Sequence, residues 1–197
     1  MTSSREPLRQ RAFTLIEVLV VIGVMAVVAT LVGIGLSRGG VGAALKASQS
    51  LLVSQLNAAR SQAALGESRT ALVVVADVGS LERDRRFLAV AVEEGGGWRA
   101  IHDGTMLPHR IMVRDIAQTG SLLNQTLAVA LGPGDATTTC SAVVFEADGQ
   151  LATPGGGEIW LGVGVRDEQG WRIDSEAPAR GILVSRYGAV TLWETDL

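Results

Sequence analysis

The chain opens on a polar stretch, residues 1–12, and turns abruptly apolar over residues 13–36 (FTLIEVLVVIGVMAVVATLVGIGL), where Glu17 is the single charge. As a helix this run rises about 36 Å, more than the roughly 30 Å of a bilayer's hydrocarbon core, so it predicts a membrane span with some tilt. Residues 33–42 hold five glycines. Each costs roughly 0.5–1 kcal/mol against alanine within a helix, which predicts a weak, bendable joint. Gly33 and Gly35 also permit close helix packing. Over 43–65 the helical pattern resumes. Leu45, Leu52, Leu56, Ala59 and Ala63 recur at three-, four- and seven-residue steps and form one apolar stripe, with Ser48, Gln49, Gln55, Arg60 and Gln62 expected around the polar remainder. Gly66 is the expected C-cap.

After Gly66 the period changes. Residues 71–76 (ALVVVA), 86–92 (RFLAVAV), 110–116 (RIMVRDI), 141–147 (SAVVFEA), 158–165 (EIWLGVGV), 170–173 (GWRI), 181–187 (GILVSRY) and 189–193 (AVTLW) are rich in β-branched residues. They are bounded by turn residues, among them Gly95-Gly96-Gly97, Asp148-Gly149, Pro154-Gly155-Gly156-Gly157 and Tyr187-Gly188. No recurrent helix separates these strands, so the pattern predicts an antiparallel sheet and argues against a βαβ fold. Residues 117–140, with Gly132-Pro133-Gly134 and Thr137–Thr139, read as a loop or short insertion. The predicted class is α+β: a long N-terminal helix, membrane-spanning and then amphipathic, packed on an antiparallel β domain. Four segments follow: a basic leader at 1–12, the transmembrane half of the helix at 13–36, a flexible joint and amphipathic half at 37–66, and an exported β domain at 67–197.

Charge and composition mostly exclude. A net charge of -3 offers no basic face for nucleic acid. The lone Cys140 supports neither an internal disulfide nor a thiolate metal site, and reads as a small buried apolar residue. His102 and His109 have no third ligand spaced to join them. His102-Asp103 is accompanied by no nucleophile motif. Gly95–Gly97 and Gly155–Gly157 are followed by no Gly-Lys-Ser/Thr, so they cradle no phosphate. The run Leu81–Arg86 mixes signs and reads as a solvated loop, and Asp148-Gly149 as a turn rather than a calcium site. No catalytic, cofactor or metal residue emerges.

The N-terminal segment carries the positive signal. Arg5, Arg9 and Arg11 flank the apolar run, so the positive-inside rule keeps that end cytoplasmic and exports the rest. A cleaved secretory signal, with Val27-Val28-Ala29 as a passable cut site, and a plain anchor are the simpler readings. Neither accounts for Glu17. A carboxylate in an apolar run costs about 2.5–3.5 kcal/mol at mid-helix, less near the interface, and asks for a partner.

Residues 12–18 (AFTLIEV), after a short basic leader, resemble the processing and methylation segment of type IV prepilins and type II secretion pseudopilins. That resemblance implies cleavage by a prepilin peptidase between Ala12 and Phe13, methylation of the new amine on Phe13, and an assembly role for Glu17. The family usually carries glycine before the cut; this chain has alanine, also small. The later segments are similar, in order, to the H-type minor pseudopilins of type II secretion and to minor type IV pilins. They are Trp98, Gly104-Thr105-Met106-Leu107-Pro108, residues 143–150 (VVFEADGQ), Ile159-Trp160-Leu161 and residues 181–190 (GILVSRYGAV). The resemblance implies a type IV pilin-like fold and a structural, non-enzymatic subunit of a secretion pseudopilus tip or, alternatively, of a pilus. Its partners would be other pseudopilins or pilins through the N-terminal helix, the peptidase, and an assembly platform in the bacterial inner membrane, with the C-terminal domain periplasmic. An anchored exported enzyme or binding domain is the alternative from another class, and it would need a catalytic constellation.

Overall fold

The computed structural model describes residues 15–77, 82–114, 120–167 and 170–195, with the side chains of 27–39 and 194–195 outside the description. Helix α1 runs Leu15–Gly66, helical through the glycine-rich 33–42 segment. Among the described residues eleven strands follow: β1 (Thr70–Val75), β2 (Phe87–Glu94), β3 (Gly97–Ala100), β4 (Thr105–Met106), β5 (Ile111–Arg114), β6 (Gln125–Ala130), β7 (Thr137–Phe145), β8 (Gly157–Asp167), β9 (Gly170–Ile173), β10 (Ala179–Val184) and β11 (Val190–Thr195). The chain divides into two units between Gly40 and Val41, inside the glycine-rich segment.

Within the second unit, the stripe on α1 is the floor of the core. Leu45, Leu52, Leu56, Ala59 and Ala63 are all buried and share one cluster with Leu72 and Val74 of β1, Val143 and Phe145 of β7, Ile159 and Leu161 of β8, and Ile182 and Val184 of β10. Each leucine buried this way contributes about 1.5–3 kcal/mol. The helix thus packs on strands of both sheets, the α+β arrangement that the periodicity predicts.

The strands form two sheets rather than one. In the first, β1 pairs with both β7 and β2, and the path β1-β7-β6-β3-β2 closes back on β1, with β4 appended to β2. The ring is antiparallel except for β3 against β6, where Trp98 lies opposite Val129 in a parallel pair. Its inside is a second core of small residues: Ala71, Val73, Val75, Ala89, Ala91, Val129, Cys140, Ala142 and Val144. Few strands leave room for little else. β1 is buried along its whole length, its alternate residues serving the two cores. That is why 71–76 reads as unbroken apolar sequence rather than alternation.

The second sheet has the order β11-β10-β8-β5, with β9 also on β8. Trp160 lies across Gly181, where a Cβ would come within 2.9 Å of the indole. The β10–β11 hairpin closes with Ser185 N–H donating to Ala189 O (2.9 Å) and Gly188 N–H to Ser185 O (2.8 Å). Gly188 takes φ +75, with the Arg60 side chain against it, so any Cβ there meets both strain and contact.

Four expectations need correction. The 117–140 segment contains β6 and the first residues of β7. β6 hides because its only buried residue is Val129, leaving little apolar signal, while Thr137–Thr139 are β-branched and suit the ring's rim. Ser48 and Gln49 are buried rather than polar surface. Ser48 Oγ donates to Ala44 O (2.8 Å). Gln49 Nε2 donates to Gly181 O (2.8 Å) and, more weakly, to Trp193 O (3.4 Å). The helix terminus is turned by Glu67, at φ 48, with Gly66 still helical. The Leu81–Arg86 run is only partly solvated: Arg86 is 9% exposed, its Nη2 donating to Leu107 O at 3.3 Å and its guanidinium 5.3 Å from the Trp171 ring centroid.

Two outcomes follow from these contacts. Gln49→Ala should lower stability by about 1–2 kcal/mol in urea unfolding, because the buried Gly181 carbonyl loses a side-chain donor. Glu67→Gly should raise stability by about 0.5 kcal/mol and Glu67→Val should lower it by about 1 kcal/mol, since a β-branched residue resists the left-handed conformation.

Candidate functional site

Of the three residues that the sequence singles out, Ala12 and Phe13 lie outside the described residues. Glu17 stands in the first turn of α1.

The helix around it is apolar on every side and bare. Leu15 is 85% exposed, Ile16 71%, Leu19 66% and Ile22 62%, and Val18, Val20, Val21, Val24 and Met25 are exposed too. Leu15, Val18, Leu19 and Ile22 line a shallow groove. A helix that is hydrophobic all round needs an apolar surrounding, either lipid or other helices. Among the described residues no helix is long and apolar enough to cross a membrane. The described side chains at 15–26 rise only about 18 Å; the remainder of the expected 13–36 span falls on residues 13–14 and on the undescribed side chains from 27 onward.

The side chains that could carry chemistry elsewhere are dispersed. His102 and Asp103 are exposed. His109 meets the edge of Trp171, with ring centroids 5.8 Å apart and planes at 80°. Among the described residues no group of three or more His, Cys, Asp or Glu is placed to hold a metal. Gly95 and Gly96 take φ +61 and +81, the signature of a two-residue type I′ turn joining β2 to β3. Asp148 Oδ1 accepts from Gln150 N–H (2.9 Å), so Asp148-Gly149 is turn chemistry.

Arg69 has a role that no pattern along the chain signals. It joins three elements at the far end of the helix, with Nη1 3.0 Å from Glu93 Oε2 and Nε 3.2 Å from Glu146 Oε2, and its guanidinium 5.9 Å from the Trp98 ring centroid. At the partial exposure of these groups each pair is worth under about 1 kcal/mol, so this is a tether for strand ends rather than a reaction centre.

Cys140 is buried inside the ring. Burial pushes its thiol up from 9.0 to about 11, with the charge of Asp77 adding to the effect. The folded state therefore keeps the proton that the unfolded chain releases near pH 9. The resulting stability is complete below pH 9 and is lost as pH rises towards 11. Urea unfolding at pH 8 and pH 10.5 should show that loss, on the order of 1–2 kcal/mol, and Cys140→Ala should abolish that part of the pH dependence.

No curated protein matches the chain at a significant level. Among solved structures, the type IV minor pilin FimU of Pseudomonas aeruginosa is similar at 16% identity and a TM-score of 0.45, over 75% of this chain and 87% of that one. The minor pseudopilin EpsH from the Type 2 Secretion System of Vibrio cholerae is similar at 12% identity and a TM-score of 0.44, over 76% of this chain and 96% of that one. Both likenesses are remote. Residues 7–33, which include Ala12, Phe13 and Glu17, match the prokaryotic N-terminal methylation motif.

Proposed function

We propose that this chain is a type IV pilin-like structural subunit, a minor pseudopilin of a type II secretion pseudopilus that belongs to its tip complex. The single observation that carries the proposal is the methylation motif at 7–33, which runs through the bare apolar start of α1. In this reading the prepilin peptidase cuts between Ala12 and Phe13 and the new Phe13 amine is methylated. The subunit sits in the inner membrane with its N-terminus cytoplasmic and residues 67–197 periplasmic, and it works by assembly rather than by catalysis. A minor type IV pilin would use the same residues in the same way.

The chemistry is one of charge pairing in lipid. After cleavage, a cationic amine begins an apolar helix, and Glu17 lies four residues on, about one turn. A neighbour's amine set beside Glu17 neutralises both charges, each costly alone in hydrocarbon. Because the pair forms at one axial offset only, it fixes the register between helices.

The test separates insertion from assembly. Glu17→Ala should leave the membrane-fraction level unchanged, because losing a charge makes the segment more apolar. The amount recovered in sheared or cross-linked filaments should fall roughly tenfold, the scale of about 1–2 kcal/mol for a polar contact between membrane helices. Glu17→Gln should behave like the alanine variant, since an amide cannot neutralise an ammonium. Normal assembly and secretion by both variants would remove Glu17 from the mechanism.

A further inference from the structure

β11 is an open edge. It is the end strand of the second sheet, with β10 on one side and no strand on the other among the described residues. The hairpin fixes which backbone groups are free. Ser185 N–H bonds Ala189 O, so the hydrogen-bonded pairs continue in steps of two as Leu183 with Thr191 and Gly181 with Trp193. The N–H and C=O of Val190, Leu192 and Glu194 therefore point away from β10. Natural edges are normally blunted by Pro, Lys, a bulge or a covering loop. Among the described residues β11, residues 190–195 (VTLWET), has neither Pro nor Lys and no strand on its outer side, its one charge being Glu194, and it exposes Leu192 at 62% and Trp193 at 54%. Beside it runs a groove of about 320 Å³ between α1 and the sheet, lined by Lys46, Gln49, Ser50, Arg180, Leu192 and Trp193. Lys46 is the only lysine in the chain and makes no ion pair among the described residues.

We propose that β11 pairs with β11 of a second copy, antiparallel about a two-fold axis through Trp193. The strand is complementary to itself in that register. Leu192 falls opposite Glu194 of the second copy, so two residues with outward-facing backbone groups exchange hydrogen bonds, as an antiparallel ladder requires. Position 194 shares a strand face with Leu192 by the period of two. An acidic residue of the second copy, Glu194, therefore takes the register position opposite Leu192, which lines the groove with Lys46, and the two-fold axis repeats this juxtaposition of opposite charge. Trp193 meets its own symmetry mate at a pair without hydrogen bonds, where Cα atoms approach to about 4.5 Å and the two exposed indoles cover each other. A shift of the register by one residue sets inward-facing backbone against outward-facing backbone and loses the ladder. Such a contact is isologous and closed, so it makes a dimer and does not propagate. It rests on the Val41–Leu197 unit alone and stands or falls separately from the filament role.

Cysteine cross-linking of the full-length protein in membranes tests the register. Trp193→Cys should form a disulfide-linked dimer by itself, since 193 faces 193 at disulfide distance. Thr191→Cys and Thr195→Cys should each stay monomeric alone and cross-link when the two chains are co-expressed, because 191 faces 195. Protection of Cys140 from a thiol reagent reports that each variant is folded. Lys46→Glu should cut cross-linking at 193 several-fold, and adding Glu194→Lys should restore it. With Cys140 protected, absence of the 193 disulfide together with absence of the mixed 191–195 disulfide would overturn the proposal. Equal cross-linking of Thr191→Cys or Thr195→Cys alone would do the same, since it would report random collision.

Discussion

The second unit depends on one constraint: the apolar stripe of α1 after Val41 must be covered, and neither sheet covers it alone. Leu45, Leu52 and Leu56 share a cluster with strands of both sheets, so the helix is the surface on which the two sheets are held together. This explains the burial of Gln49, whose amide reaches the carbonyls of Gly181 and Trp193 and ties the helix to the last hairpin. It also explains why the turn at Gly188 lies against Arg60, because a hairpin docked on a helix leaves no room for a side chain between them.

The ring formed by β1, β7, β6, β3 and β2 has a different logic. Its interior is too narrow for large side chains, so alanine, valine and one cysteine fill it. In place of bulk it has closure, which removes free edges. Cys140 belongs to this packing, and its raised thiol is a consequence of burial rather than preparation for reaction. The second sheet obtains its cover otherwise, by laying Trp160 over Gly181. The two sheets thus differ in their edges: one is closed, and the other ends on β11.

How far the sequence could be read depended on the strength of each pattern. The stripe from Leu45 to Ala63 was legible because one face is buried at a regular period. The runs that became β1, β7 and β8 were legible because burial on both faces leaves unbroken apolar sequence. β3 and β6 were not, since their residues are half-exposed and glycine, threonine and alanine carry little signal. Ring closure was invisible because the parallel contact between Trp98 and Val129 joins segments far apart in sequence. Gln49 and Arg86 were misassigned to solvent for one reason: a polar side chain with an apolar stem can be buried wherever a carbonyl or an aromatic ring receives its head. At the candidate site the reverse held. The motif around Glu17 was the plainest feature of the sequence, because its meaning lies in spacing along the chain and not in tertiary contacts.

The account turns on what happens at the start of the apolar run. A charged residue within it makes physical sense if a second charge is created nearby, and the proposed proteolysis ahead of Phe13 would create one. The intact mass and N-terminal sequence of the protein isolated from membranes test this most directly. The account predicts a chain that begins at Phe13 and carries a methyl group on its amine. A mature chain that begins at Met1 or at Thr30 would contradict it, leaving a plain anchor or a secretory signal in its place.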